Sequence, residues 1–183
     1  MANLKRFTFG LVFSLAAAYL LAVPVWAEGE ENAKIAPLVT TEQKNTIIDH
    51  CDSIKDVLKN LQKADSRTRV YLGRYYETIL SNFMVPLNIR LVENSISNPK
   101  LIENQTNFAA RRDRFNSDFI SYQQSLEELV NINCKNEPVK FYEKLIIARE
   151  RRAIVNKDVI RLKGFTDEQV RLVQELKKEV EKM

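Results

Sequence analysis

LIENQTNFAARRDRFNSDFISYQQSLEELVNIN, residues 101–133, decides the fold. Leu101, Phe108, Phe115, Phe119, Tyr122, Leu126 and Leu129 follow one another at steps of seven, four and three. That spacing lines one face of a helix with apolar side chains. Gln105, Arg112 and Asn133 occupy the remaining positions of the stripe. Asn98 supplies a cap and Pro99 a first-turn proline, while CKNEP (134–138) stops the pattern. A helix over Pro99 to Asn133 is about 50 Å long at 1.5 Å per residue.

The same rhythm extends to both sides. Upstream the stripe is Ile47, Cys51, Ile54, Leu58, Leu61, Asp65, Thr68, Leu72, Tyr75 and Ile79, with Thr40 and Gln43 as a capping box. Pro86 has no N–H for the Asn82 carbonyl and is expected to kink or break this helix, and ENSISNP (93–99) gives the next turn. Downstream a third helix opens near Glu137-Pro138, with Phe141, Leu145, Ala148, Arg152, Val155, Val159 and Leu162 on its stripe. Gly164 and a second capping box, Thr166 to Gln169, allow a short fourth helix; the phase through Val173, Leu176 and Val180 equally allows one continuous helix. No stretch alternates with period two. The expectation is all-α: an elongated antiparallel three-helix bundle, coiled-coil-like, over residues 40–183, with or without the fourth helix. Short connections near 95–98 and 134–137 are what make neighbouring helices antiparallel.

The first 27 residues read differently. Lys5 and Arg6 precede the uncharged run Phe7 to Val23, and Val25 and Ala27 stand three before and one before a cut. This is a signal peptide cleaved after Ala27, with an uncleaved membrane anchor as the alternative. An acidic leader, 28–39, has no periodicity and is expected to be disordered. Of 28 basic side chains only Lys5 and Arg6 are lost with the segment, leaving 26 against 24 acidic. A net charge of +2 argues against nucleic acid as the partner.

With an exported chain, Cys51 and Cys134 read as a disulfide, with two isolated thiols as the alternative. Counting helix register from that pair places Arg112 opposite Gly73 and, across the second turn, Arg149 near Tyr122 as a cation–π pair. Other chemistry is thin. One histidine, two cysteines and four glycines exclude multi-histidine or four-cysteine metal sites and phosphate-cradling loops. His50 beside Cys51 would need a free thiol to act as a nucleophile pair. No Glu-x-x-His, GxSxG or CxxC motif occurs, so no catalytic, cofactor-binding or metal-ligating residue is assigned. What remains is surface. Arg111, Arg112 and Arg114 form one basic cluster; Arg149, Arg151 and Arg152 with Lys157, Arg161 and Lys163 form another, seven basic to three acidic residues over 143–163. Tyr71 and Tyr76, beside Arg67, Arg69 and Arg74, make a candidate contact surface, with Tyr75 assigned to the core.

KNLQKADSRTRVYLGRYYETILSNFMVPLNIRLVENS (59–95) and FNSDFISYQQSLEELVNINCKNEPVKFYEKL (115–145) together resemble small exported α-helical proteins of Saccharibacteria-type, small-genome bacteria. The resemblance lies in overall texture. It implies an extracytoplasmic setting in a host-associated bacterium and carries over no reaction and no site residue. The resulting expectation is a non-enzymatic helical interaction or scaffold protein of the envelope or surface, binding a protein partner or its own copy. Two alternatives are a holdase-like chaperone and a binder of anionic polymers or membrane surfaces through the third helix.

Overall fold

The computed structural model describes residues 39–182. The chain divides into two units, 1–35 and 36–183, and every described residue belongs to the second. The signal segment, and the leader up to residue 38, lie outside the described residues.

The described chain is all-helical. α1 covers Thr41–Asp49 and α2 Cys51–Thr78; a π-helical segment, Ile79–Met84, leads into α3, Val85–Glu93; α4 is Pro99–Asn131 and α5 is Pro138–Val180. Local signals explain the starts. Thr40 and Gln43 form the expected capping box on α1. Asn98 Oδ1 accepts from Leu101 N–H at 3.1 Å, and Pro99 opens α4. α3 ends at Ser95 with φ of 57°, where Ile96 N–H reaches the Leu91 carbonyl at 2.8 Å and Ser95 N–H the Val92 carbonyl at 3.0 Å. Ser95 thus takes the left-handed position that glycine usually fills, and Ile96 packs into the Leu91 cluster.

One expectation changes and one open alternative closes. Pro86 does not break the helix. The Val85 N–H bonds back five residues to Leu80, so the turn widens just before the residue that lacks an N–H, and the chain runs on. The fourth helix is absent among the described residues, because α5 passes through Gly164 unbroken. Thr166 donates inside the helix, to Leu162 O at 3.0 Å. Gln169 is turned inward, where Asn104 Nδ2 bonds its Oε1 at 2.9 Å and the Phe165 carbonyl at 3.0 Å. A cross-helix bond has taken the side chain a capping box would have used.

α4 is the spine. α2 and α5 both pack along it, and α2 and α5, whose backbones come close at few points, are bridged by the Arg152–Asp65 ion pair. Phe108, Phe115, Phe119, Tyr122, Leu126 and Leu129 on α4 are buried, as the stripe required. Rings of Tyr76, Phe115, Phe119 and Tyr122 meet edge to face at 5.4 to 5.8 Å, each contact worth about 0.5–1.5 kcal/mol beyond its area. The Cys51–Cys134 disulfide ties the start of α2 to the turn after α4, with Cα atoms 5.6 Å apart.

On α2 the stripe departs from the heptad after Leu72. Tyr76, Leu80, Met84 and Asn88 are buried at steps of four, while Tyr75 is 47% exposed. A strict heptad drifts against a straight helix, which brings Tyr76 inward before the π segment begins at Ile79. Tyr76, expected on the surface, therefore lies in the core at 3% exposure, and Tyr75 takes its place outside. The register changes as well. Arg112 Nη1 pairs with Glu77 at 2.5 Å, one turn beyond Gly73. Cys134 sits in the turn beyond the end of α4, so counting helical register from it misplaces the partners.

Candidate interaction surface

The surface residues are built onto two flanks of α4. On the α2 flank, Asp65 lies under a polar junction. Tyr122 Oη donates to Asp65 Oδ2 at 2.7 Å; Arg152 Nε donates to Oδ2 at 3.1 Å and its Nη2 to Oδ1 at 3.3 Å. Both carboxylate oxygens are therefore satisfied. Burial, then the Asp65 bond, pushes the Tyr122 hydroxyl well above the usual tyrosine range, so it stays a donor. The hydrogen bond to Asp65 likewise raises Arg152. Tyr76 is pushed up to about 12, mainly by burial and then by Tyr75.

Above this junction lies a groove of about 550 Å³. Phe119 and Tyr122 form its floor, and Asp65, Thr68 and Leu72 its α2 wall. Arg149, Arg152, Ala153, Val155, Asn156 and Val159 form its α5 wall. α2 and α5 both hold α4 here, and the Arg152–Asp65 ion pair joins the two walls. The helix breaks at His50, and α1 crosses toward α5, where Gln43 Nε2 donates to Tyr142 Oη at 3.4 Å. Arg149 is exposed and has no hydrogen bond or ion pair among the described residues. Tyr71 and Tyr75 stack at 6.5 Å on the outer face of α2, one turn from Leu72.

The second basic cluster is thus not one patch. At 100° per residue, Arg149 and Arg152 stand about 60° apart on α5, whereas Arg151 is about 160° from Arg149. Arg151 Nη1 donates to the Ser121 carbonyl at 2.7 Å on the α4 side, and Lys163 pairs with Asp167 at 2.6 Å. Arg161 is exposed outside the groove wall. Arg149 and Tyr122 do line one groove, but the cation–π contact is Arg69 over Phe119, at 5.8 Å.

The first cluster reads differently again. Arg111 Nη1 pairs with Asp158 Oδ1 at 2.9 Å, and Asp158 is 2% exposed. Asp118 lies against Asp158, with Arg114 Nε 3.7 Å from Asp118 Oδ2. The Oδ2 atoms of both aspartates are buried without a hydrogen bond. Burial raises the Asp118 carboxyl above its usual range, the neighbouring Asp158 raises it further, and Arg114 and Arg111 oppose this. Sequence reading missed this pair. The available signal was Asp158 standing three after Val155 and four before Leu162, on the inward stripe of α5.

A third feature is an apolar groove of about 310 Å³ between α3 and α4, lined by Val85, Asn88, Ile89, Val92, Ile102 and Gln105 among others. Asn88 Nδ2 donates to Gln105 Oε1 at 2.7 Å, and its buried Oδ1 has no partner. Phe83 is exposed on the π segment.

The thiol that a Cys–His pair would require is consumed by the disulfide. Among the described residues no helix is long and apolar enough to cross a membrane, and no three acidic, histidine or cysteine side chains gather. Compared with protein-family models, curated proteins and solved structures, the chain matches none.

Proposed function

We propose that this chain is an exported helical interaction protein of a bacterial envelope or surface, which works by holding a partner. In this reading residues 1–27 are a signal peptide removed after Ala27, and residues 40–183 form an antiparallel three-helix bundle with coiled-coil-like seams. The helix order is supported by cross-helix pairs whose numbers rise on α4 and fall on α5: Asn104 with Gln169, Arg111 with Asp158, Ser121 with Arg151, Glu128 with Lys144. Export is supported by the disulfide, which oxidising compartments preserve.

The observation that carries the reading is the groove between α2 and α5, with an exposed cationic side chain, Arg149, that has no hydrogen bond or ion pair among the described residues. Light scattering on the eluting species, followed by pull-down from envelope extract, tests it. A retained partner or a stable self-assembly is expected; a strict monomer that retains nothing contradicts it. N-terminal sequencing of the protein from its own cells separates a chain beginning at Glu28 from an anchored one beginning at Met1.

The holdase reading draws support from one feature, the apolar α3–α4 groove with Ile89 and Val92 exposed along it. Absence of aggregation suppression at stoichiometric amounts removes it. The polyanion reading draws less, because Arg111, Arg114, Arg151, Arg152 and Lys163 all have internal partners.

A further inference from the structure

We infer that α3 and α4 pair with the same two helices of a second copy of this chain, antiparallel across a two-fold axis, through the groove between them. The inference rests on the interaction-protein reading and makes a second copy the partner at this face. Three observations carry it. First, the lining is exposed rather than packed: Ile89 is 52% exposed, Val92 67% and Ile102 48%. α5 covers the opposite side of the helix pair, where Leu91, Leu101, Leu172 and Leu176 cluster, and leaves this side open. A second cleft of about 260 Å³ shares Asn88, Val92 and Ile102 with the groove and reaches the Ser95–Asn98 turn.

Second, the face has the form of a helix seam. At 100° per residue Val85, Ile89, Val92 and Ile96 fall within about 60° of one another on α3 and the turn that follows it. Two such hairpins set seam to seam make a four-helix arrangement.

Third, the charge is self-complementary. Arg90 and Glu93 are exposed on the flank of α3 away from α4, about 60° and 4.5 Å apart, and neither side chain has an ion pair or hydrogen bond among the described residues. In an antiparallel helix pair like flanks meet. Arg90 of one copy therefore stands opposite Glu93 of the other, and symmetry repeats the contact. The outer face of α2, with Lys63, Arg67 and Arg74, would instead repel its own copy.

The test measures mass against concentration by light scattering on the protein purified from its own cells, with circular dichroism to confirm each variant's fold. α3 has nine residues, so the interface is small and the dimer should dissociate on dilution at roughly micromolar concentration. Val92→Arg should leave a folded monomer, and Val57→Arg, at an exposed site on α2, should leave the dimer intact. Arg90→Glu should raise the dissociation constant about tenfold or more, and adding Glu93→Arg should restore it. A dimer indifferent to Val92→Arg, or one that the double exchange fails to restore, overturns the inference. A monomer whose Val92→Arg variant loses aggregation suppression gives the groove to unfolded clients and overturns it too. A monomer that still retains an envelope partner overturns it while leaving the interaction reading standing; a monomer that retains nothing counts against both.

Discussion

The two flanks of α4 solve the same problem differently. Each buries carboxylate oxygens beside the spine. On the α2 flank Asp65 has a donor for each oxygen, from Tyr122 and Arg152. On the α5 flank Asp118 and Asp158 together bring two buried Oδ2 atoms and no donor for either, although Arg111 holds the other Asp158 oxygen. The α2 flank also has the covalent tie. The difference teaches that net charge is a poor guide to polar burial, since both flanks contain arginines. What separates them is donor geometry: a proton must sit between Asp118 and Asp158 for the second junction to be as complete as the first.

The largest effect should come from removing the tie. Closing 83 residues of chain by the disulfide is worth roughly 4 kcal/mol in the chain-entropy account. Replacing both cysteines by serine should lower the urea midpoint accordingly, and the α2 flank should then exchange amide hydrogens faster than the α5 flank. Next is Tyr122→Phe, which leaves Asp65 with Arg152 alone. Loss of one charge-assisted bond costs about 1.5–3 kcal/mol when buried, and partial exposure of the junction brings the expectation to the lower end. Denaturant unfolding measures it.

Asp118→Asn acts in the opposite direction. Its amide can donate to the orphaned Asp158 Oδ2, so stability near neutral pH should rise by about 1 kcal/mol. The pH dependence carries the same information. A carboxyl raised in the folded state binds its proton there at pH values where the unfolded chain has lost it. Its stabilising contribution is full below the ordinary carboxylate pKa and declines as pH rises through the raised value. Asp52, Glu128 and Glu168 are lowered by hydrogen bonds to Lys135, Lys144 and Arg171, so their contributions are lost only at more acidic pH. Unfolding free energy should therefore fall in the native chain as pH rises from the ordinary carboxylate range through the raised Asp118 value, and flatten in Asp118→Asn. An unchanged slope removes the shared proton. A smaller effect is expected of Ser95→Gly, a gain of about 0.5–1 kcal/mol from relieving a left-handed serine, read from the thermal midpoint.

The legible part of the sequence was the part governed by a single helix. The α4 stripe from Leu101 to Leu129 is buried as its spacing demands, because one straight apolar face needs no knowledge of its neighbours. The two cysteines, the Thr40 cap and the Asn98 cap were readable for the same local reason. Tyr76 was misread because the inward stripe leaves the strict heptad by a four-residue step from Leu72, and no period announces where that drift falls. The Asp118–Asp158 contact was invisible because an aspartate reads as solvated until the opposite helix is in place. The groove is less legible still. It depends on how α2 and α5 are set around α4, and Arg149 became a candidate through company it lacks, whereas Arg151 and Arg152 beside it are engaged.

One sample decides most directly whether the groove is a surface left open for a partner: Arg149→Glu, with unfolding free energy and partner capture measured side by side. Arg149 has no hydrogen bond or ion pair among the described residues, so its replacement should change stability by no more than about 0.5 kcal/mol, while capture of the partner from envelope extract is lost. Unfolding of the variant, or capture at the native level, would contradict the account.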